Sequence, residues 1–393
     1  MRANVMPEAL RAELGRCTKV AVKGSKNIDS CIELTAGNAC LGLRVQDAHL
    51  CLVSSVAAEV KSDGAVLVDC DRLSAVLGVR PDGTPLQLWD EGAFLHVKQG
   101  EFRVKLPLLR HSTMAQADFN GPFDLDMSMS AKVLHGMLRC KRSVEDDQAM
   151  FVGLLLDFSE AHLLRVAAFT RALLQIAHFD LVAAYPAFRV ALAPRCIPIL
   201  ESMPATDFRL AFSVQQAKVF IFSKTFAVRI ACAEDRFPAQ YQSVLGLYRW
   251  REGVYPVPLM SNTGNIVSEV MRSKLVFNRA DVLAALESAA VVLGKDEQII
   301  EMKIGQRLDD GKIVVEFIGR NLTSKSHATE KVLATGDVAS AISLGLNYGS
   351  VREVLRYLDA EELVLHVGRK EDAIVFTEKG YEHIVAIATL MRL

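Results

Sequence analysis

The chain has 393 residues, of which 51% are hydrophobic and 23% charged, and its formal net charge is -1. A chain of this length can bury more than one hydrophobic core, and three domains of about 120 to 130 residues each are a natural division. No apolar run approaches the roughly 18 residues that span a bilayer and no signal-peptide pattern is present, so we expect a cytoplasmic protein without a membrane partner.

One pattern of predicted elements occurs three times along the chain: an amphipathic helix, strands, a second helix, and a run of closely spaced strands. In the first copy, the opening helix is predicted over residues 6–14 and the second helix over residues 69–77. Alternating apolar and polar residues then predict half-buried strands, with Glu91-Gly92 as a hairpin turn. These strands cover residues 86–89, 93–97 and 102–106.

The second copy begins with a helix behind Ser130, where apolar residues recur at helical spacing from Val133 to Leu138. Its second helix is predicted over residues 197–203, and Pro198 should kink or delay it, because proline lacks the N–H that a helix interior requires. The strands that follow cover residues 208–212, 219–222 and 226–230.

The third copy has Asn278 as the predicted N-cap of its opening helix, with apolar residues at helical spacing from Val282 to Leu293. Its second helix is predicted over residues 351–358. The strands that follow cover residues 363–367, 373–376 and 384–393.

Two stretches predict loops at the joints between copies, residues 110–122 and residues 245–273. The longer one contains Arg249-Trp250-Arg251, an aromatic residue between two cations that could stack on a base or a partner. We favour the simpler interpretation, a solvated insertion anchored by one tryptophan.

Motifs of catalysis are absent: the chain has no phosphate-binding glycine loop, no HExxH and no GxSxG sequence. The eight cysteines form no CxxC pair, so reduced and mostly buried thiols are predicted rather than a metal site. The histidines do not cluster; His366 and His383 could approach each other across strands, but core or surface roles are favoured. These observations favour a binding protein over an enzyme, without cofactor or metal.

Basic residues recur on the polar faces of the predicted helices. Lysine and arginine bind phosphates without reading base sequence, so the recurring pattern predicts contact with double-stranded DNA, whereas any single arginine is better explained by a solvated helix face. The predicted contact residues are Arg72, Lys132, Arg139, Lys141, Arg142, Arg195, Arg352 and Arg356.

The C-terminal sequence Ala388-Thr389-Leu390-Met391-Arg392-Leu393 resembles the terminal signature of the bacterial beta sliding clamp, the processivity subunit of DNA polymerase III. Residues 236–241 resemble the Phe-Pro-x-Tyr segment of that family, with one extra residue. Residues 278–293 resemble its third-domain entry helix, and residues 344–347 the segment before its last helix. The order and spacing of these segments identify the chain as a divergent member.

The resemblance implies an α+β fold of three clamp-type domains, with helices lining a central hole and antiparallel sheets outside, in a head-to-tail ring of two chains. The expected domains are residues 1–121, 122–250 and 251–393, with an inter-domain insertion at about 245–273. Such a ring encircles duplex DNA and tethers a polymerase and other replication or repair proteins without catalysing a reaction. The alternative is a dimeric interaction scaffold of the same fold that does not encircle DNA.

The resemblance also implies a pocket that accepts short apolar peptides from a DNA polymerase and a clamp loader. Its residues by alignment are Phe151, Thr170, Arg171, Leu173, Pro238, Val244, Asn347, Ile387, Ala388, Met391 and Arg392. The implied dimer interface pairs the first domain with the third domain of the other chain. Its residues are Arg103, Val104, Leu106, Val292 and Leu293.

The chain departs from the family pattern in this pocket and in its charge. Residues 168–173 replace a Thr-Asp-Gly-His-Arg-Leu stretch, of which only Leu173 is kept, and Thr389-Leu390 replaces Met-Pro. The net charge of -1 is less acidic than is usual for the family. We therefore expect an altered partner preference, and weaker electrostatic repulsion between the protein and DNA.

Overall fold

The structure is a computed structural model that describes residues 1–24, 27–80, 83–109, 114–140, 153–169, 173–233, 257–260, 266–269, 273–294, 298–338, 340–367 and 373–391. Helices and strands alternate along the chain, and the strand ladders are antiparallel. The predicted α+β class is confirmed, and so is the threefold repetition of its elements, since each copy has the order strand, helix, four strands, helix, three strands.

The first repeat shows this order completely. Its elements are β1 (Arg2–Val5), α1 (Pro7–Val20), β2 (Cys31–Gly37), β3 (Cys40–Gln46), β4 (Leu50–Ser62), β5 (Gly64–Asp69), α2 (Cys70–Gly78), β6 (Leu86–Glu91), β7 (Phe94–Gln99) and β8 (Phe102–Pro107). The predicted hairpin turn is present, because Glu91 pairs with Phe94 across the β6–β7 turn.

Local sequence explains both helices of the first repeat. Pro7 occupies the first turn of α1, where no N–H is needed, and the Asp69 carboxylate accepts the N–H of Arg72 at 2.8 Å to cap α2. Helix α1 extends six residues beyond the predicted end at residue 14, because Cys17 and Val20 continue its buried stripe.

The second repeat has the same order with a shortened second helix. Its elements are β9 (Leu125–Met129), α3 (Ala131–Arg139), β10 (Leu154–Asp157), β11 (Leu163–Phe169), β12 (Leu173–Asp180), β13 (Arg189–Leu192), α4 (Ile197–Glu201), β14 (Phe208–Ser213), β15 (Lys218–Phe222) and β16 (Phe226–Ala233). The predicted effect of Pro198 is confirmed: a 3-10 turn precedes α4, and Pro198 lies in the first turn of that short helix.

The third repeat again has two full helices. Its elements are β19 (Ser273–Asn278), α5 (Arg279–Ala290), β20 (Ile299–Arg307), β21 (Ile313–Arg320), β22 (His327–Asp337), β23 (Ile342–Asn347), α6 (Tyr348–Tyr357), β24 (Glu362–Val367), β25 (Ala373–Glu378) and β26 (Tyr381–Met391). The predicted cap is confirmed, because Asn278 Oδ1 accepts the N–H of Ala280 at 2.9 Å.

The prediction of an unstructured insertion over residues 245–273 is wrong where the structure describes it. Strands β17 (Val257–Met260) and β18 (Ile266–Glu269) pair as a two-stranded antiparallel sheet, and β17 contacts β25. The segment shows little alternation, and Pro258 argues against a strand by sequence. A short hairpin nevertheless tolerates a proline at a position whose nitrogen faces away from the ladder, because proline has no N–H to donate.

The chain forms two compact units, one of residues 1–138 and 191–233 and the other of residues 139–190 and 234–393. The second repeat contributes to both units, and the division at residues 121 and 250 stays a prediction. Each unit contains one junction between repeats. In the first unit β16 pairs with β4, and in the second β26 pairs with β12. The last strand of a repeat therefore pairs with the third strand after the opening helix of the repeat before it.

Close packing of a helix on a sheet depends on one glycine in the third repeat. A Cβ atom on Gly319 of β21 would overlap the carbonyl oxygen of Ala289 in α5. We expect Gly319→Ala to destabilise the fold by about 1–3 kcal/mol, because the backbones would have to separate. Chemical unfolding measures this, with Gly42→Ala in the equivalent strand β3 as control, where the nearest atom is 3.6 Å away. Equal stability of the two variants would contradict the packing argument.

A buried histidine makes the fold sensitive to acid. His366 is 1% exposed, and its Nε2 lies 3.0 Å from Thr377 Oγ1, which confirms a core histidine; the side chain of His383 lies outside the described residues. Burial, with a smaller effect of Lys274, lowers the pKa of His366 to about 3.

A depressed histidine pKa means that the unfolded chain binds the proton more readily than the folded one. The contribution of the neutral His366 side chain to the free energy of unfolding is fully present above the unfolded pKa of about 6.5. It is lost as the pH falls towards the folded pKa, by up to about 1.4 kcal/mol per pH unit. We expect His366→Gln to unfold with a weaker pH dependence between pH 6.5 and 4 than the wild type in urea titrations. The exposed His162, replaced by Gln, is the control. Parallel pH profiles for the wild type and His366→Gln would refute this.

Candidate nucleic-acid and partner-binding surfaces

A basic groove lies in the first unit between α1, α2 and α4. It encloses an open volume of about 760 Å³, and its cations are Lys19, Lys23 and Arg195. Both lysines are exposed, and Lys19 Nζ donates to the carbonyl oxygen of Pro198 at 3.0 Å. Asp71 also lines the groove, so its three cations are accompanied by one carboxylate, and the open volume has room for a bulky anionic group.

Lys19 and Lys23 were not among the predicted contact residues. The prediction ended α1 at residue 14, so Lys19 was not assigned to a helix; the continued helical spacing of Leu14, Cys17 and Val20 is the signal that would have included it. Lys23 lies in the turn after the helix, and no periodic signal marks it.

Arg195 keeps part of its predicted exposure but has a carboxylate partner. Its side chain is 44% exposed, and Nη1 forms an ion pair with the buried Asp47 carboxylate. The other carboxylate oxygen of Asp47 accepts the N–H groups of His49 and Leu50, each at 2.7 Å. Arg195 thus contributes to the fold as well as to the groove, and its positive charge is partly neutralised.

Arg72 and Lys132 occupy exposed positions on α2 and α3, as predicted. Within the described part of the chain, neither side chain forms an ion pair with a carboxylate. Their charges are therefore available to a polyanion. Lys141 and Arg142, which complete the predicted stripe of α3, lie outside the described residues.

The predicted position of Arg139 on a solvated stripe is wrong. Its side chain is only 11% exposed and lies in the second unit between two carboxylates. Nη1 is 2.6 Å from Oε1 of Glu378, and Nη2 donates to Oδ2 of Asp359 at 2.8 Å. Helical periodicity placed Arg139 opposite the apolar face, but it could not reveal that distant carboxylates cover the end of this helix.

The two arginines of α6 lie one turn apart, and both have acidic neighbours. Arg356 pairs with Glu287 at 2.7 Å. Arg352 lies 3.6 Å from Glu353, and its guanidinium stacks on the Tyr348 ring at 5.3 Å from the centroid. These exposed or half-exposed pairs contribute little stability, so a phosphate could compete for either arginine.

The described residues of the predicted pocket meet around β26, in the second unit. Leu173 of β12 pairs with Ala388, while Ile387 pairs with Leu174. Paired residues of an antiparallel ladder share a face and successive residues alternate, so Leu173 and Ala388 lie on one face and Ile387 on the other. Leu173 and Ile387 therefore do not line the same face of the sheet.

Two further pocket residues lie near the end of the same strand. Met391 pairs with Gly345 of β23 through the backbone, and Asn347, at the end of β23, accepts the N–H of Ser350 at 2.9 Å to cap α6. The remaining predicted pocket residues lie outside the described ones: Phe151, Thr170, Arg171, Pro238, Val244 and Arg392.

The predicted dimer residues lie on a sheet edge and beside a helix end. In β8, Arg103 is exposed, Val104 half-buried and Leu106 buried, and the described partner of this strand is β7. Val292 and Leu293 follow α5 and are half-buried. Nearby in sequence, Val291 is 82% exposed.

The cysteine thiols are further side chains with nucleophilic potential, and burial raises the pKa of several of them. The eight cysteines are free thiols and most of them are buried. Burial raises the pKa of Cys140 and of Cys196 to about 12, which keeps these thiols protonated. Among the described residues, no group of three or more His, Cys, Asp or Glu is placed to hold a metal ion. None of the helices described has the length and apolar character needed to span a membrane.

Comparison by sequence finds no matching protein-family model and no matching curated protein. Comparison of structures gives full-length similarity to bacterial DNA polymerase III beta subunits. The protein from Pseudomonas aeruginosa is 17% identical with a TM-score of 0.83, and the alignment covers 100% of both chains. The protein from Thermotoga maritima is 14% identical with a TM-score of 0.80, covering 100% of this chain and 99% of that one.

A third similar structure is a sliding clamp from Bartonella birtlesii bound to griselimycin, 17% identical with a TM-score of 0.82 and 100% of both chains covered. Identities this low establish architecture rather than activity. The chain has the fold of the DNA polymerase III beta-subunit sliding clamps, as the C-terminal sequence resemblance predicted.

Proposed function

We propose that the protein is a DNA sliding clamp, a ring of two chains that encircles duplex DNA and tethers a DNA polymerase and other replication or repair proteins. The observation that carries this proposal is the junction between repeats, which occurs twice with equivalent strands. Because three repeats make only two such junctions, one last strand and one third strand after an opening helix have no junction partner among the described residues. Full-length similarity to sliding clamps supports the same conclusion.

Among the described strands, those without a partner for this kind of junction are β8 and β22. Strand β4 pairs with β16 through residues 50–54 and with β1 through residues 58–62. Strand β22 of the third repeat is equivalent to β4. It pairs with β19 through residues 335–337 and with β21 through residues 327–334, and no described strand pairs with the edge of residues 327–334 that faces away from β21. We infer that β8 of a second chain pairs there, which closes a head-to-tail ring because every junction is then the same.

Apolar exposure at these edges supports an interface. Leu333 of β22 is 53% exposed and Val291, beside α5, is 82% exposed. On the first repeat, Phe94 of β7 is 40% exposed next to β8. Covering these side chains would add hydrophobic stabilisation to the backbone hydrogen bonds of the new ladder.

DNA would be held by charge and not by base recognition. Arg72, Lys132 and Lys19 supply exposed charges on helices, and Lys23 supplies another in the turn after α1. Arg195, Arg352 and Arg356 supply cations that a phosphate can share with their acidic neighbours. Such contacts are weak, depend on salt and carry no sequence code. A ring that cannot dissociate sideways can therefore slide.

Partners would bind through short apolar peptides near the C-terminal end of β26. Griselimycin-bound sliding clamps support a ligand site in proteins of this fold. Of the described pocket residues on this ladder, the apolar Leu173 and Ala388 share one face and could form part of one pocket wall, whereas Ile387 faces the other way. No catalytic step is assigned to the protein.

A dimeric scaffold that does not encircle DNA is the second candidate. The acidic partners of Arg139, Arg195, Arg352 and Arg356 favour it, because they lower the positive potential that DNA would meet. Both candidates share the ring interface, so only a topological test on DNA separates them.

The clamp proposal predicts retention that depends on DNA topology. We expect the dimer, loaded on nicked circular plasmid by a clamp loader or at high protein concentration, to remain bound through gel filtration in moderate salt. Linearising the plasmid after loading should release it, because the ring slides off the ends. Equal loss from circular and linearised DNA would reject encirclement and favour the scaffold.

The ring proposal predicts that one exposed leucine stabilises the dimer. Leu333→Asp should raise the dimer dissociation constant at least about tenfold, since it places a charge in an apolar interface without touching the core of the monomer. Analytical ultracentrifugation measures this change. Val182→Asp, at a fully exposed valine in the loop between β12 and β13 and outside both β8 and β22, is the matched control. If both variants dimerise like the wild type, the proposed edge pairing is wrong.

A further inference from the structure

The Glu378 carboxylate organises the chain segment that follows α6. Its Oε1 accepts the backbone N–H of Asp359 at 2.7 Å and that of Ala360 at 3.3 Å. These residues connect α6 to β24, directly after Leu358 ends the helix. The position of the connection, and of the helix end before it, thus depends on one carboxylate at the end of β25.

Glu378 can do this only with a cation beside it. Its side chain is 1% exposed, and a buried carboxylate charge is costly unless it is paired and hydrogen-bonded. Arg139 provides that charge at 2.6 Å, and its second nitrogen binds the Asp359 side chain. A planar guanidinium is suited to this geometry, because it presents two donors to two separate carboxylates at once.

We propose that Arg139 is a positioning residue, which fixes the connection between α6 and β24 through Glu378 and Asp359, and is not a DNA contact. This inference rests on the proposed function in one respect: it removes Arg139 from the residues that would contact phosphates. The connection that Arg139 fixes directly follows α6, the helix that carries Arg352 and Arg356.

Hydrogen exchange of the Asp359 and Ala360 amides tests the positioning role in the full-length protein. In Arg139→Gln we expect exchange of these amides to accelerate at least about tenfold, the scale expected when hydrogen bonds to a charged acceptor weaken. Arg139→Lys keeps a charge near Glu378 and should recover most of the protection. If Arg139→Gln does not fold, the amide exchange of Arg139→Lys is measured in its place. Lys132→Gln, an exposed cation on the same helix, should leave both amides unchanged.

The salt dependence of DNA affinity provides the second readout. Lys132→Gln should reduce the slope of log affinity against log salt by about one, the effect of losing one phosphate contact, whereas Arg139→Lys and Arg139→Gln should leave the slope unchanged. Unchanged amide exchange in Arg139→Gln, or a slope lowered by about one in that variant, would overturn the proposal. If the wild type shows no salt-dependent binding, the clamp function fails, while amide exchange still decides the role of Arg139.

Discussion

The fold depends on one interaction that is made twice: the last strand of a repeat pairs antiparallel with the third strand after the opening helix of the repeat before it. These ladders, β16 with β4 and β26 with β12, consist of backbone hydrogen bonds that require extended chains but no particular side chains. Sequence can therefore diverge widely while the junction persists. This explains how a chain with 17% identity keeps a TM-score of 0.83 over its full length.

Charge is used sparingly in this architecture. Many basic side chains on the helices are paired with acidic ones, and Arg139 and Arg195 each neutralise a buried carboxylate that itself accepts backbone N–H groups. Arginine thus stabilises the fold where it is enclosed, and in the proposed clamp exposed basic residues would attract phosphates. Weak attraction would suit such a clamp, since tight phosphate contacts would oppose sliding.

Strand β26 links architecture to partner binding. Along its length it pairs with β25, with β12 of the preceding repeat and, near its end, with β23. The described residues of the predicted partner pocket lie on the same strand or on its direct neighbours. A peptide bound there would contact the junction between repeats, so changes in the pocket sequence are limited by what the ladder and its buried faces accept.

The sequence alone determined the threefold order of elements, the Asn278 cap and the effect of Pro198, because these depend on periodicity and on neighbouring residues. It determined the exposed positions of Arg72 and Lys132 for the same reason. Only the tertiary structure decided that Arg139 is enclosed by Asp359 and Glu378, that Lys19 and Lys23 join Arg195, and that Leu173 and Ile387 face opposite ways. Each of these depends on strand register or on contacts between residues far apart in the chain, and local periodicity carries no information about either.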